Sequence, residues 1–317
     1  MLNRSKLLRM IIPSLFFLAA LVYISRFITD IDLRVIYLLS LDKWLLVILL
    51  FLVAQLLNIL YFRLLLTRMC TISSLSKLFQ VLFASYSFNY AGPLKLGMPL
   101  RVFLFKRVLK VPYGAGVATV LVTTGLDILV MITLVFMLSV WIYISPFYGL
   151  ILGLAIFAIS IALAAMFQKL PSARPKHPNW FAKFLEDLAT LSPVILFCAI
   201  VISTIKFLLI CLASWIILLG IGATVDLTEL TFVYLSSHLA GLLSLVPMGL
   251  GIKDATIIEL LNRQEIAPAI GIAFVAIDRL VWSVFPLIIG ILAGWHLGIH
   301  EMIKSVRNET EFDKVGV

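Results

Sequence analysis

Charge is in short supply in this chain. Asp, Glu, Lys and Arg make up 13% of its 317 residues, against about 25% in an ordinary soluble domain. Cysteine is rarer still. Cys70, Cys198 and Cys211 form no C-x-x-C and no framework, which excludes a disulfide-stapled secreted fold and leaves them as small packing or lipid-facing residues. Of the four histidines (His177, His238, His296 and His300), only the last two share a helical spacing. Both fall at a helix end beside the headgroups, so no metal site is expected. There is no Walker loop, no G-x-S-x-G and no G-x-G-x-x-G after a strand, so no catalytic residue and no cofactor is expected.

What the chain has is apolar length. Hydrophobic residues make up 62% of it, in runs at about 8–25, 44–66, 78–98, 114–143, 149–167, 193–221, 230–251 and 268–298. A transmembrane helix needs about 20 mostly apolar residues. The chain therefore reads as an all-α, polytopic helical membrane protein. Arg4, Lys6 and Arg9 before the apolar stretch at 10–24 resemble a signal peptide, but no A-x-A site follows, so an uncleaved first span with a cytoplasmic start is expected. The net charge of +9 sits in short loops, where it orients spans and attracts anionic headgroups, and no aromatic-interleaved basic stretch suits nucleic acid.

Counting Lys and Arg makes two of the runs anomalous. Arg63, Arg68 and Lys77 precede the run at 78–98, and Arg101, Lys106, Arg107 and Lys110 follow it, so both flanks are expected in the cytoplasm. The Gly-Pro breaks at Pro93 and at Gly97–Pro99 then predict a re-entrant hairpin rather than a crossing. Such backbone is tolerated at membrane depth only when buried in protein or lining a wet cavity. The run at 230–251 is broken in the same way. Pro93-Leu-Lys-Leu-Gly97 aligns with Pro247-Met-Gly-Leu-Gly251; each is followed by a partly polar helix, then Pro112 or Pro268, then a span bearing Asp127 or Asp278. The proline-to-aspartate interval is 34 residues in one copy and 31 in the other.

The expected architecture is one transmembrane domain over 1–317, with about six full spans plus two re-entrant hairpins in an inverted repeat. The first repeat is 44–143 with its hairpin at 78–110, and a cytoplasmic loop follows at 169–190. The second repeat is 193–298 with its hairpin at 230–266, and 301–317 is a cytoplasmic tail. Inverted repeats whose broken helices meet near the midplane are a recurring transporter architecture, with substrate held between the repeats.

Candidate site residues follow from that geometry. Pro93, Lys95, Gly97 and Arg101 at the first break, and Pro247, Gly249, Gly251, Lys253 and Asp254 at the second, combine free backbone N–H groups with charge beside them, which suits a phosphate or carboxylate. Asp127, Lys206, Asp278 and Arg279 lie within apolar runs, where each charge costs about 2.5–3.5 kcal/mol on insertion scales. They are either interhelical glue, as an Asp127–Arg279 or Asp127–Lys206 pair, or a coupling and gating set centred on Asp127 and Arg279. Asp278 and Arg279, being adjacent, are expected to have separate partners.

These residues carry a family resemblance. Val246-Pro-Met-Gly-Leu-Gly-Ile-Lys-Asp-Ala255, then Ala267-Pro268 and Asp278-Arg279, resembles the second signature of the lysylphosphatidylglycerol synthase transmembrane-region family. Pro93–Gly97 with Arg101 and Asp127 resembles its first. Two positions depart from it: Met98 stands where the family has an acidic residue, and Thr123-Thr124 where it has Glu-Arg. The resemblance implies a lipid flippase or a transporter of lipid-linked glycans in the cytoplasmic membrane, and no aminoacyl-transferase domain is expected after residue 300. The expected partner is a membrane phospholipid or a polyprenyl-linked lipid, not nucleic acid. A partner enzyme and a homo-oligomer both stay open. Rival readings are a membrane-embedded lipid-modifying enzyme and a non-catalytic partner of a glycosyltransferase or lipid synthase.

Overall fold

The computed structural model describes residues 37–70, 74–91, 97–169, 191–244, 249 and 251–298. The expected first span, the loop at 170–190, the tail, and the turn residues Pro93, Lys95 and Pro247 lie outside them. The described residues form helices and no strand. In chain order these are α1 (Leu41–Met69), α2 (Leu75–Ala91), α3 (Gly97–Leu109), α4 (Tyr113–Tyr143), α5 (Pro146–Lys169), α6 (Pro193–Gly220), α7 (Leu227–Leu243), α8 (Ile252–Asn262) and α9 (Pro268–Gly298).

Four of them, α1, α4, α6 and α9, are long and apolar enough to cross a bilayer. Helix α1 shows how such a span is built. Its 29 residues extend about 43 Å at 1.5 Å per residue, more than the roughly 30 Å hydrocarbon core. Leu45, Leu49, Leu52 and Leu56 form an exposed stripe at helical spacing, while Val47, Phe51, Ala54, Asn58 and Tyr61 form the buried one. The outer face is thus plain leucine and the inner face carries the polar groups. Lipid tails are as apolar as leucine and give helices no hydrophobic reason to associate, so packing and internal polar contacts must hold the bundle.

The order long helix, two short helices, long helix occurs twice, as α1–α4 and as α6–α9. The local stops recur with it. Among the described residues only two non-glycines have positive φ, Lys110 (60°) and Glu265 (63°). Each ends the second short helix, and each is followed within three residues by Pro112 or Pro268, which starts the next long helix. Ser192 and Asp226 accept backbone N–H groups at the starts of α6 and α7.

The two sets interlock. Helices α1 and α6 make the most extensive pairing, with Tyr61 and Leu65 against Ile195 and Ala199. Within each set the two short helices pack on one another, α2 on α3 and α7 on α8. Across the sets, α7 lies against α4. In the reciprocal contact, Gly290 of α9 meets the backbone of Phe83 in α2, and Gly294 faces Ala84. Each short-helix pair therefore leans on the last long helix of the other set. Helix α9 also contains a π-helical turn, Leu280–Val284, directly after Asp278 and Arg279.

Candidate functional site

The buried charges gather at three places inside the bundle. The first joins α8 to α9. Lys253 donates to the Asp278 carboxylate at 2.9 Å and to the Tyr234 hydroxyl at 3.2 Å, with its ammonium 4.5 Å from the centre of that ring. Tyr234 and Ser214 also donate to Asp278, at 3.0 and 3.4 Å. One residue along both helices, Arg279 grips Asp254 in bidentate fashion at 2.8–3.0 Å. Asp254 additionally accepts the Gly251 N–H at 3.0 Å, so one carboxylate both caps α8 and holds α9. The result is a clasp of two adjacent ion pairs of opposite sense.

Glycine makes that clasp possible. At Gly249, φ is +65° and a Cβ would lie 2.6 Å from the Cα of Gly241 in α7; a Cβ on Gly241 would meet that of Lys253 at 3.1 Å. The chain must pass this close for Lys253 to enter the bundle at all.

The second place joins α4 to α6. Lys206 lies 2.8 and 2.9 Å from the two oxygens of Asp127, and Ser203 donates to the same carboxylate. The Lys206 ammonium faces the rings of Phe207 at 4.7 Å and Tyr61 at 5.2 Å. Tyr61 in turn donates to the Thr123 carbonyl at 3.2 Å. Ser203, Lys206 and Ser214 all lie on α6, which thereby runs between the first two places; Lys206 and Ser214 are separated by about 12 Å of helix.

The third place is Arg101 in α3, which is 7% exposed. Its Nε donates to Ser85 Oγ at 2.9 Å, and the guanidinium stands over Phe62 (4.9 Å) and Tyr86 (5.1 Å). Asn58 donates to the Tyr86 hydroxyl at 2.7 Å. No carboxylate among the described residues forms an ion pair with Arg101. A cation–π contact contributes about 0.5–2 kcal/mol and a hydrogen bond about 1 kcal/mol net. Two such contacts and one hydrogen bond together contribute about 2–5 kcal/mol, enough to offset the roughly 2.5–3.5 kcal/mol cost of placing the charge there. Phe62 and Tyr61 are neighbours on α1, so α1 contributes a ring to both the second place and the third.

The sequence-derived residues therefore fall as follows. Gly251, Lys253, Asp254, Asp278 and Arg279 meet at the clasp with Gly249 beside it. Asp127 and Lys206 pair, and Gly97 begins the helix that carries Arg101. The pairing of Asp127 with Arg279 is not formed: Asp254 pairs with Arg279 from the adjacent helix, while Lys206 and Ser203 occupy Asp127. Nor is Lys253 an open cation, because Asp278 neutralises it. Sequence reasoning did not single out Tyr234, Ser214, Ser203, Ser85, Tyr86 or Tyr61. Each is a hydroxyl within an apolar run, and the sequence carries no charge or motif to mark it.

A bundle with four helices long and apolar enough to span a bilayer, and with paired charges between them, is a multi-pass membrane protein. The model of the lysylphosphatidylglycerol synthase TM region matches residues 10–290, and the chain belongs to that family. It is also similar to the UPF0104 membrane protein MJ1595 of Methanocaldococcus jannaschii, at 32% identity over 95 residues. That match covers 30% of this chain and spans 28% of the relative's length.

Proposed function

We propose that this protein moves an amphiphile with an anionic or sugar headgroup across the cytoplasmic membrane, the headgroup passing through the polar interior between the two short-helix pairs. The observation that carries this is the density of interior charge: seven acidic and basic side chains meet within the bundle, five of them buried. Two further features support it. The helix order is duplicated and each short-helix pair packs against the other set, as in a transporter built from inverted repeats. The family's name ties it to a membrane lipid. In this reading the breaks around Pro93, Lys95 and Gly97, and around Pro247, Gly249 and Gly251, form re-entrant turns at the headgroup path. The Asp127–Lys206 pair gates it, because it bridges the two sets through α4 and α6, and Asp127 is the more exposed partner.

The test is reconstitution. Purified protein in liposomes carrying headgroup-labelled lipids is treated with a membrane-impermeant quencher. Transport predicts that the inner-leaflet label becomes accessible faster than in empty liposomes, for anionic before zwitterionic lipid. No acceleration for any lipid by folded protein refutes it, and conversion of the lipid to a new product assigns the protein to the enzymes.

A further inference from the structure

Two of the interior ion pairs, Asp127–Lys206 and Asp278–Lys253, share α6 as a border. Ser203 donates to Asp127 near one end of that border and Ser214 donates to Asp278 near the other. The two serines are about 16 Å apart along the helix. One histidine stands in the gap. The His238 ring on α7 meets Phe207 edge-on at 6.2 Å, and Phe207 faces the Lys206 ammonium at 4.7 Å. Phe207 is also four residues from Ser203 and so on the same side of α6. One turn back along α7, His238 stacks on Tyr234 at 6.2 Å, and Tyr234 faces the Lys253 ammonium at 4.5 Å. Tyr234 donates to Asp278 and accepts from Lys253. His238 therefore touches both rings that cover the two buried lysines. It is partly exposed, whereas Tyr234 is sealed. The other described histidine, His296, is exposed near the end of α9.

We propose that His238 carries protons between the two ion pairs and couples their movement to passage of the headgroup, which makes the protein a proton-coupled transporter. This rests on the transport reading of the same interior. The imidazole takes one proton and one positive charge from water on one side and returns both to water on the other, so the step balances with no further reactant. Asp, Glu and His within membrane helices are the material of proton relays. The charged and titratable groups on the elements around His238 are Asp127 on α4, Lys206 and Cys211 on α6, Tyr234 on α7, Lys253 on α8 and Asp278 on α9. The Asp254–Arg279 pair lies one residue further along α8 and α9. An imidazolium among these groups draws on both carboxylates and repels both ammoniums. Protonation thus loosens the Asp127–Lys206 and Asp278–Lys253 pairs, and proton release lets them close again.

The experiment reads protons directly. Full-length protein is reconstituted in liposomes containing phosphatidylglycerol and loaded with the pH dye pyranine, and valinomycin sets a potassium potential, negative inside. The interior is expected to acidify at least about threefold faster than in empty liposomes, with a rate that changes across about pH 5–8, where an imidazole changes charge. His238→Gln returns the rate to that of empty liposomes and removes the pH dependence. Tyr234→Phe, which keeps the stacked ring and loses the hydroxyl, slows the influx several-fold, and Arg263→Gln at an exposed ion pair leaves it unchanged. If His238→Gln does not fold, Tyr234→Phe and the wild-type pH profile carry the test. Influx no faster than in empty liposomes, or unchanged by His238→Gln, overturns the proposal. Lipid translocation without any His238-dependent influx leaves transport standing and overturns the coupling. His238-dependent influx without lipid translocation keeps the proton path and refutes transport.

Discussion

Removing Lys253 should damage the fold more than removing Lys253 and Asp278 together. Asp278 is 2% exposed and Lys253 is 7% exposed, so Lys253→Met strands a carboxylate with only Tyr234 and Ser214 as donors. Breaking a buried pair from one side costs about 3–5 kcal/mol, whereas replacing both members with neutral groups of similar size is often close to neutral. The two remaining donors place Lys253→Met at the lower end, about 3 kcal/mol. Asp278→Asn keeps a hydrogen-bonding amide beside Tyr234 but leaves the ammonium uncompensated, at a similar cost. The double variant should lose only about 1–2 kcal/mol, which makes the coupling about 4 kcal/mol by a double-mutant cycle. The assay is reversible unfolding of the purified protein by SDS titration from dodecyl maltoside micelles, followed by tryptophan fluorescence. Singles that each lose under about 1 kcal/mol, or a double that equals their sum, would refute the clasp as described.

Other perturbations probe the same construction. Asp254→Ala strands Arg279 and uncaps α8 at once, so the Gly251 amide should exchange its hydrogen much faster, whereas Asp254→Asn should retain part of the protection; hydrogen exchange reads both. Gly249→Ala places a Cβ against Gly241 in a left-handed conformation that itself costs about 1–2 kcal/mol, and the folded yield should fall sharply. Tyr61→Phe deletes the bond to the Thr123 carbonyl but keeps the ring over Lys206. It should lose about 1 kcal/mol in the same SDS titration, and Tyr61→Leu more.

Much of the architecture was legible because a bilayer constrains it so strongly. Long apolar runs must become helices, and the observed limits of α4, α6 and α9 lie within a few residues of those read from composition. The separate partnering of Asp278 and Arg279 was legible too. What composition does not encode is which helices touch. Asp127 had two cations within reach on paper, and the choice of Lys206 depends on α6 running between α4 and α1. Arg279 turns instead to Asp254 because α8 packs on α9 one residue in register with the Lys253–Asp278 pair. The burial of Arg101 between Phe62, Tyr86 and Ser85 was equally invisible, since it depends on α3 packing against α1 and α2. The hydroxyls of Ser85, Tyr86, Ser203, Ser214 and Tyr234 look in sequence like any polar residue tolerated in a helix, and only their common inward face shows them to be the lining of the charged interior.

The central claim is that the interior charges serve passage of a headgroup and not packing alone. The most direct measurement is the translocation rate of labelled phosphatidylglycerol in proteoliposomes for the double variant Asp127→Asn with Lys206→Met, which removes the pair without stranding either charge. The account predicts a protein that folds and unfolds like the wild type yet translocates at least about tenfold more slowly. A wild-type rate in that variant would make the pair interhelical glue and contradict the account.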